Sequence, residues 1–270
     1  MTAMIEPRVF QYSNTTHNNL QQNARHQFAQ RHALRIFQAN AIYSFIPKNA
    51  CSTLRLSVAL ANGCLASPAD FNWIHNNNDT FRADLAALAN AAYTFTVLRC
   101  PFRRLASVYL DKIVGKDPVA WVFADLCRRE IEMDDLSFDA FVGELRKPYI
   151  KNGNIHWRPQ VDFLVYRHYD DYFSVEDFPV AVATLRQKIG LPVIDARPLT
   201  KHGTDHLKPV TNESFSSAKP LDIYDLKRQG FCPTPESLYN DRLVSLVREV
   251  YADDIALYRE LFGESALLFT

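Results

Sequence analysis

Tyr93-Thr-Phe-Thr-Val-Leu98, running straight into Arg99-Cys-Pro101-Phe-Arg-Arg104-Leu-Ala-Ser107-Val-Tyr109-Leu-Asp-Lys112, is the stretch that decides the fold. Its first six residues are β-branched, aromatic or aliphatic, which suits a pleated, buried strand. Pro101 fits the first turn of a helix, where its missing N–H costs nothing, and the pattern predicts a helix over 102–113. A strand followed at once by a helix, with a basic residue at the junction, is half of an α/β unit. The same design occurs upstream. Ala41-Ile-Tyr-Ser-Phe-Ile46 predicts a strand ended by Pro47, and Lys48-Asn-Ala-Cys51 a loop of mostly small residues. Ser52 is then the expected N-cap of a helix that runs to about Ala61 and is closed by Gly63.

Working outward, Tyr172-Phe-Ser-Val175 predicts a further strand, and Ser174 with Asp177 resembles a capping box. The helix after it carries Val182, Leu185 and Ile189 on one face and ends at Gly190. Residues 118–150 read as helical, with the acidic run Glu130-Ile-Glu-Met-Asp-Asp135 as a solvated face. Residues 197–235, rich in Pro, Ser, Thr and Lys, read as a long loop. Thr234-Pro235 is expected to start a last helix, where Leu243, Leu246, Val247, Val250 and Tyr251 repeat at helical spacing. Strands alternating with helices imply an α/β domain with a central, mainly parallel sheet flanked by helices. Residues 1–35, rich in Asn, Gln and His, read as a flexible polar arm with one short helix, and 36–270 as the domain.

The 270 residues carry 30 Lys and Arg against 30 Asp and Glu. Nothing global attracts nucleic acid or an acidic membrane surface, so an anion site must be local. Five cysteines without a C-x-x-C pair argue against a disulfide framework or a zinc site and for reduced thiols in the cytoplasm. The first residues lack the pattern of a signal peptide, and no apolar run approaches the ~18 residues of a membrane span.

Two loops are suited to anions. In an open parallel sheet ligands sit beyond the C-terminal strand edges, and both loops fall there. Pro47-Lys48-Asn49-Ala50-Cys51-Ser52-Thr53 offers helix N-terminal N–H groups, a full positive charge at Lys48, hydroxyls at Ser52 and Thr53, and small side chains at Ala50 and Cys51. The competing reading is an ordinary strand–loop–helix with Ser52 as cap and Lys48 solvated. A glycine-rich G-x-x-x-x-G-K-[ST] loop is absent, which disfavours an ordinary kinase or GTPase. In the second loop Arg99 leaves a strand end, where a guanidinium can grip a phosphate bidentately, and Ser107 lies two helical turns on. Taken alone, Arg104 and Lys112 read as a solvated helix face, and Tyr109 as a core contact.

Together these residues resemble the PAPS-dependent sulfotransferases (PAPS is 3′-phosphoadenosine 5′-phosphosulfate). The loop at 47–53 looks like their 5′-phosphosulfate loop, and 99–112 resembles their 3′-phosphate motif R-x-P-x-x-R-L-x-S-x-Y-x-x-K, with Arg99, Pro101, Arg104, Leu105, Ser107, Tyr109 and Lys112 in register. His156-Trp157-Arg158-Pro159-Gln160 looks like the H-W-x-P-Q signature of the carbohydrate branch, which includes the HNK-1 and chondroitin enzymes. Ser174-Val-Glu176-Asp-Phe and Val250-Tyr-Ala-Asp-Asp254-Ile-Ala-Leu-Tyr258 resemble that branch as well. The similarity covers roughly residues 40 to 262. Cys100 stands where Asp is common, and Asn49-Ala-Cys where many members have glycines.

The resemblance implies a P-loop-NTPase-like single domain and in-line sulfuryl transfer from PAPS, without a metal, to an acceptor hydroxyl of a small molecule or glycan. Lys48 would stabilise the leaving phosphate, with Asn49, Ala50, Cys51, Ser52 and Thr53 completing the cradle and Arg99 and Ser107 holding the 3′-phosphate. His156 is the first candidate for the general base; the alternative is that His156 and Trp157 pin their loop. Glu176, His202 and His206 are weaker candidates. A rival phosphoryl-transfer enzyme should show a glycine-rich loop and a Mg²⁺ carboxylate at a strand end. A non-catalytic nucleotide- or glycan-binding relative should have lost Lys48 or Arg99.

Overall fold

The strands are β1 (Ala33–Ile36), β2 (Ala41–Ser44), β3 (Tyr93–Leu98), β4 (Asp171–Ser174), β5 (Lys208–Val210) and β6 (Phe231–Pro233). The helices are α1 (Ala24–Arg31), α2 (Cys51–Ala61), α3 (Leu85–Ala89), α4 (Pro101–Val108), α5 (Pro118–Leu126), α6 (Phe138–Glu144), α7 (Pro148–Lys151), α8 (Phe178–Ile189), α9 (Pro220–Arg228), α10 (Asp241–Val250) and α11 (Ala252–Phe262). They come from a computed structural model that describes residues 8–14, 19–200, 203–204 and 206–270.

The contacts gather into two compact units. One comprises the chain to Leu98 with Gln160–Leu199, the other Arg99–Pro159 with Thr200–Thr270. The first holds a four-stranded sheet in the order β1-β2-β3-β4. β1 runs antiparallel to β2; β2, β3 and β4 are parallel, with Ser44 opposite Thr96 and Leu98 opposite Ser174. This is the mainly parallel α/β sheet expected. Every residue of β2 and β3 is buried, because the apolar faces of helices cover a parallel sheet on both sides. Tyr43 and Phe95 stack at 4.9 Å in this core, with Leu54 and Val58 of α2 and Leu185 of α8 in the same cluster. α8 ends as expected at Gly190, whose φ of +64° is the left-handed closure that glycine permits.

Several expected boundaries shift. Ser52 is not the cap of α2: Ala50 holds that position, left-handed at φ 53°, and its carbonyl accepts the Leu54 N–H. Ser174 caps the turn at Val175–Asp177. Its Oγ accepts the Glu176 N–H at 3.1 Å and donates to the Glu176 carboxylate at 2.8 Å. Residues 1–7 and 15–18 of the expected arm lie outside the described residues. From Asn23 onward that stretch is folded, because Phe28, Ala29, Ala33 and Leu34 bury themselves despite the polar composition around them.

The second unit is built on aromatic rings. Phe123 meets Trp157 edge-on at 5.3 Å, Tyr109 meets Phe138 at 5.2 Å, and Phe138 meets Tyr239 at 4.9 Å, the edge-to-face geometry that ring quadrupoles favour. Residues 118–150 are largely helical as expected, in the α-helices α5, α6 and α7; Arg128 and Arg129, both at positive φ, turn the chain out of α5. The expected loop over 197–235 contains a small parallel β5–α9–β6 unit. The expected start at Thr234-Pro235 yields one 3₁₀ turn, Glu236–Leu238; the last α-helices begin at Asp241, where the Asn240 side chain caps the Leu243 N–H at 2.9 Å. The helix expected over 102–113 starts at Pro101 and changes pitch at Tyr109, where a π turn runs to Ile113.

Candidate active site

The loop after β2 is set by a buried amide. Asn49 is fully buried, and its Nδ2 donates to Val97 O at 2.9 Å and to Gln160 Oε1 at 2.6 Å. Its backbone N–H closes a turn on Ile46 O at 3.2 Å. Thus the Asn49 side chain ties the loop to β3. On either side Lys48 and Ala50 are left-handed, at φ 73° and 53°. For residues with a Cβ that costs ~1 kcal/mol each, and such strain persists only where the surroundings over-determine it. Asn49, between them, is that determinant.

The strain aims the start of α2. The N–H groups of Cys51, Ser52 and Thr53 have no partner within the helix, and the N-cap residue, Ala50, has no side chain that could cap them. Such groups, with the helix dipole behind them, are able to receive an anion. Lys48, Cys51 and Ser52 are half-buried. Thr53 is buried, and its Oγ1 accepts the Ala196 N–H at 3.2 Å, which leaves its own proton to donate.

In the second unit Arg99 is the first residue after β3 and is half-buried, as is Ser107 on α4. Cys100 is buried, and its sulfur accepts the Leu268 N–H at 3.3 Å. The solvated face considered for Arg104 and Lys112 does not form. Arg104 is 2% exposed and donates to Arg158 O at 2.8 Å and Ile155 O at 3.3 Å. Lys112 sits in the π turn between Asp111 at 3.3 Å and Asp117 at 2.9 Å. Burial alone lowers the lysine's pKa, but the two carboxylates outweigh it and the net shift is upward. Tyr109 is a core residue whose hydroxyl donates to Leu136 O at 3.1 Å.

His156 is half-buried. Its backbone N–H donates to Asn154 Oδ1 at 3.0 Å, and its Nδ1 lies 2.7 Å from the same oxygen. A backbone N–H can only donate, so the atom it meets is the amide oxygen. Nδ1 facing that oxygen must then carry the ring proton, which leaves Nε2 as the basic nitrogen. Trp157 is fully buried, with Nε1 donating to Ile150 O at 2.7 Å. Of the weaker base candidates, Glu176 is engaged with Ser174, His206 is exposed, and His202 lies outside the described residues. Among the described residues no three His, Cys, Asp or Glu side chains gather as a metal would require.

A family model described as the Sulfotransferase family matches residues 31–259. The chain belongs to the sulfotransferase family. Sulfuryl transfer is therefore its reaction class. No curated protein and no solved structure compared with it matches. Among the described residues no helix is long and apolar enough to cross a membrane. The burial of Arg104 in this sulfotransferase escaped the sequence reading because its partners are backbone carbonyls, which no side-chain pattern announces. Gln160 as the partner of Asn49 was equally hidden, although both residues lie within the motifs.

Proposed function

We propose that the protein transfers a sulfuryl group from PAPS to an acceptor hydroxyl of a carbohydrate, in the cytoplasm. The observation that carries this reading is the uncapped start of α2 behind Lys48, held by Asn49. The sugar acceptor rests on the resemblance of residues 156–160 to the carbohydrate branch, and the reducing compartment on five free thiols.

The donor supplies an activated sulfuryl group on its 5′-phosphate. As the acceptor oxygen bonds to sulfur, the bond from sulfur to the phosphate oxygen breaks and that oxygen takes the electron pair. Lys48 and the N–H groups of Cys51, Ser52 and Thr53 meet this growing charge; donors fixed in advance stabilise the transition state more than the ground state. His156 takes the acceptor proton on Nε2, a contribution of roughly 10²–10⁴-fold. Arg99 and Ser107 bind the 3′-phosphate.

Calorimetric titration with 3′-phosphoadenosine 5′-phosphate (PAP), with AMP as control, tests the reading on the wild type and on Arg99→Ala. Tight PAP binding, weak AMP binding and a loss of ~1.5–3 kcal/mol in the variant are expected. Equal affinity for PAP and AMP would remove the 3′-phosphate site and the donor with it.

A further inference from the structure

The segment around His156 is held by its carbonyls. Arg104, from α4, donates Nη1 to Arg158 O at 2.8 Å and Nη2 to Ile155 O at 3.3 Å. Tyr251, where α10 passes into α11, donates its hydroxyl to Trp157 O at 2.6 Å. Three of the four carbonyls from 155 to 158 are thus tied to side chains from two distant parts of the chain. The imidazole between them is fixed from its own side by Asn154.

Burial makes this arrangement costly to keep for packing alone. Arg104 and Tyr251 are almost fully buried, and so is Asp254, whose charge acts on the Tyr251 hydroxyl together with that of Arg104. A guanidinium cannot shed its proton on burial, and an apolar side chain in its place on α4 would fill the volume without desolvating a charge. What an apolar residue cannot do is grip two carbonyls three residues apart. The planar fork of arginine does that with little loss of freedom per bond.

We propose that Arg104 and Tyr251 are positioning residues for His156, holding its peptide so that Nδ1 stays on Asn154 and Nε2 remains the basic nitrogen. The proposal rests on the reading of His156 as the base. It also assigns work to two motif residues that touch no reacting atom: Arg104 of the 99–112 motif and Tyr251, the first tyrosine of the 250–258 motif.

The test reads the imidazole directly, without turnover. Long-range ¹H–¹⁵N spectra are recorded at pH 8 on full-length wild type, Tyr251→Phe and Arg104→Lys, with the His156 signal assigned by its loss in His156→Gln. Wild type should show His156 as one neutral tautomer, with Nδ1 protonated and the two nitrogen shifts widely separated. In Tyr251→Phe, still folded by circular dichroism, that separation should fall to less than half as the tautomers average; in Arg104→Lys it should fall at least as far. PAP affinity should stay within twofold of wild type in Tyr251→Phe. An Nε2-protonated His156 in wild type, or an unchanged His156 signal in both folded variants, overturns the proposal. If the variants lose fold, Tyr251→Phe at lower temperature, where the folded fraction is restored, decides by the same signal. Equal PAP and AMP affinity in wild type would instead count against the donor reading, and the imidazole spectra would still settle the clamp.

Discussion

Replacing Asn49 with Ala should separate the loop's two debts, one to folding and one to ligand binding. The variant loses two buried N–H···O bonds, to Val97 O and Gln160 Oε1, at a net ~0.5–1.5 kcal/mol each. It also removes Asn49 Oδ1, which is buried with no hydrogen-bond partner among the described residues, and that returns part of the loss. The hydrogen-bond terms come to about 1–2 kcal/mol of destabilisation, but release of the left-handed strain at Lys48 and Ala50, ~1 kcal/mol apiece, offsets most of it, so the net change should stay within about 1 kcal/mol, or at most ~4 °C in Tm for a chain of this size. The ligand effect has a different origin. Without the amide tether, Lys48 and Ala50 relax from the left-handed region in the free protein and must be driven back on binding, at ~1 kcal/mol apiece. PAP affinity should therefore fall by about ten- to thirtyfold. Urea unfolding gives the first quantity and calorimetric PAP titration the second. A variant with both unchanged would refute the account of the loop. A variant less stable but with wild-type PAP affinity would show that Asn49 serves the fold and that the loop is pre-set by something else.

Three further outcomes are expected. Lys48→Gly should cut sulfuryl transfer from PAPS by about 10²–10³-fold, read as the rate at saturating donor; a rate within about tenfold of wild type would remove Lys48 from the transition state. His26 is fully buried, with neither ring nitrogen hydrogen-bonded among the described residues, and burial lowers its pKa. The unfolded chain therefore binds the proton more readily, stability is complete above the ordinary imidazole value of about 6.5, and it falls as pH drops below that. His26→Phe, which keeps a ring against Phe10, should remove up to about 1.4 kcal/mol per pH unit of acid sensitivity between about pH 6.5 and 5.5, measured as the difference in urea midpoint between variant and wild type. Lys112→Met should cost about 2 kcal/mol by leaving the carboxylates of Asp111 and Asp117 facing each other without their cation, and the thermal midpoint should report it.

The parallel strands were legible because their residues obey one rule along their whole length. Tyr93–Leu98 is apolar or β-branched at every position and is buried at every position. The α8 stop at Gly190 was legible for a similar reason, one residue type meeting one conformation. The features that escaped depend on partners remote in sequence. β5 and β6 are three-residue strands that each contain proline, so neither carries a periodicity; each exists because the other is there. In α1 and β1 a few apolar residues outweigh many polar ones, which composition averages away. The roles of Lys48 and Ser52 were drawn from residue type, whereas the conformation that aims their loop comes from Asn49 and Gln160, whose pairing spans more than a hundred residues. Charged Arg104 and Lys112 look like surface residues until carbonyls and carboxylates are found facing them.

The change of pitch after Val108 alters how the motif there should be counted. Val114 N–H bonds to Tyr109 O and Asp117 N–H to Lys112 O, each spanning five residues where an α-helix spans four. The segment thus holds one residue more than an α-helix of the same hydrogen-bond count. Deleting a single residue between Leu110 and Gly115 would let the ladder close in α form and swing the downstream chain by about a third of a turn. In an aligned set of sequences such a chain would look like a motif with one position missing. It would differ in which side chain reaches Asp117, so at this place the length of a gap carries as much chemical meaning as the identity of a residue.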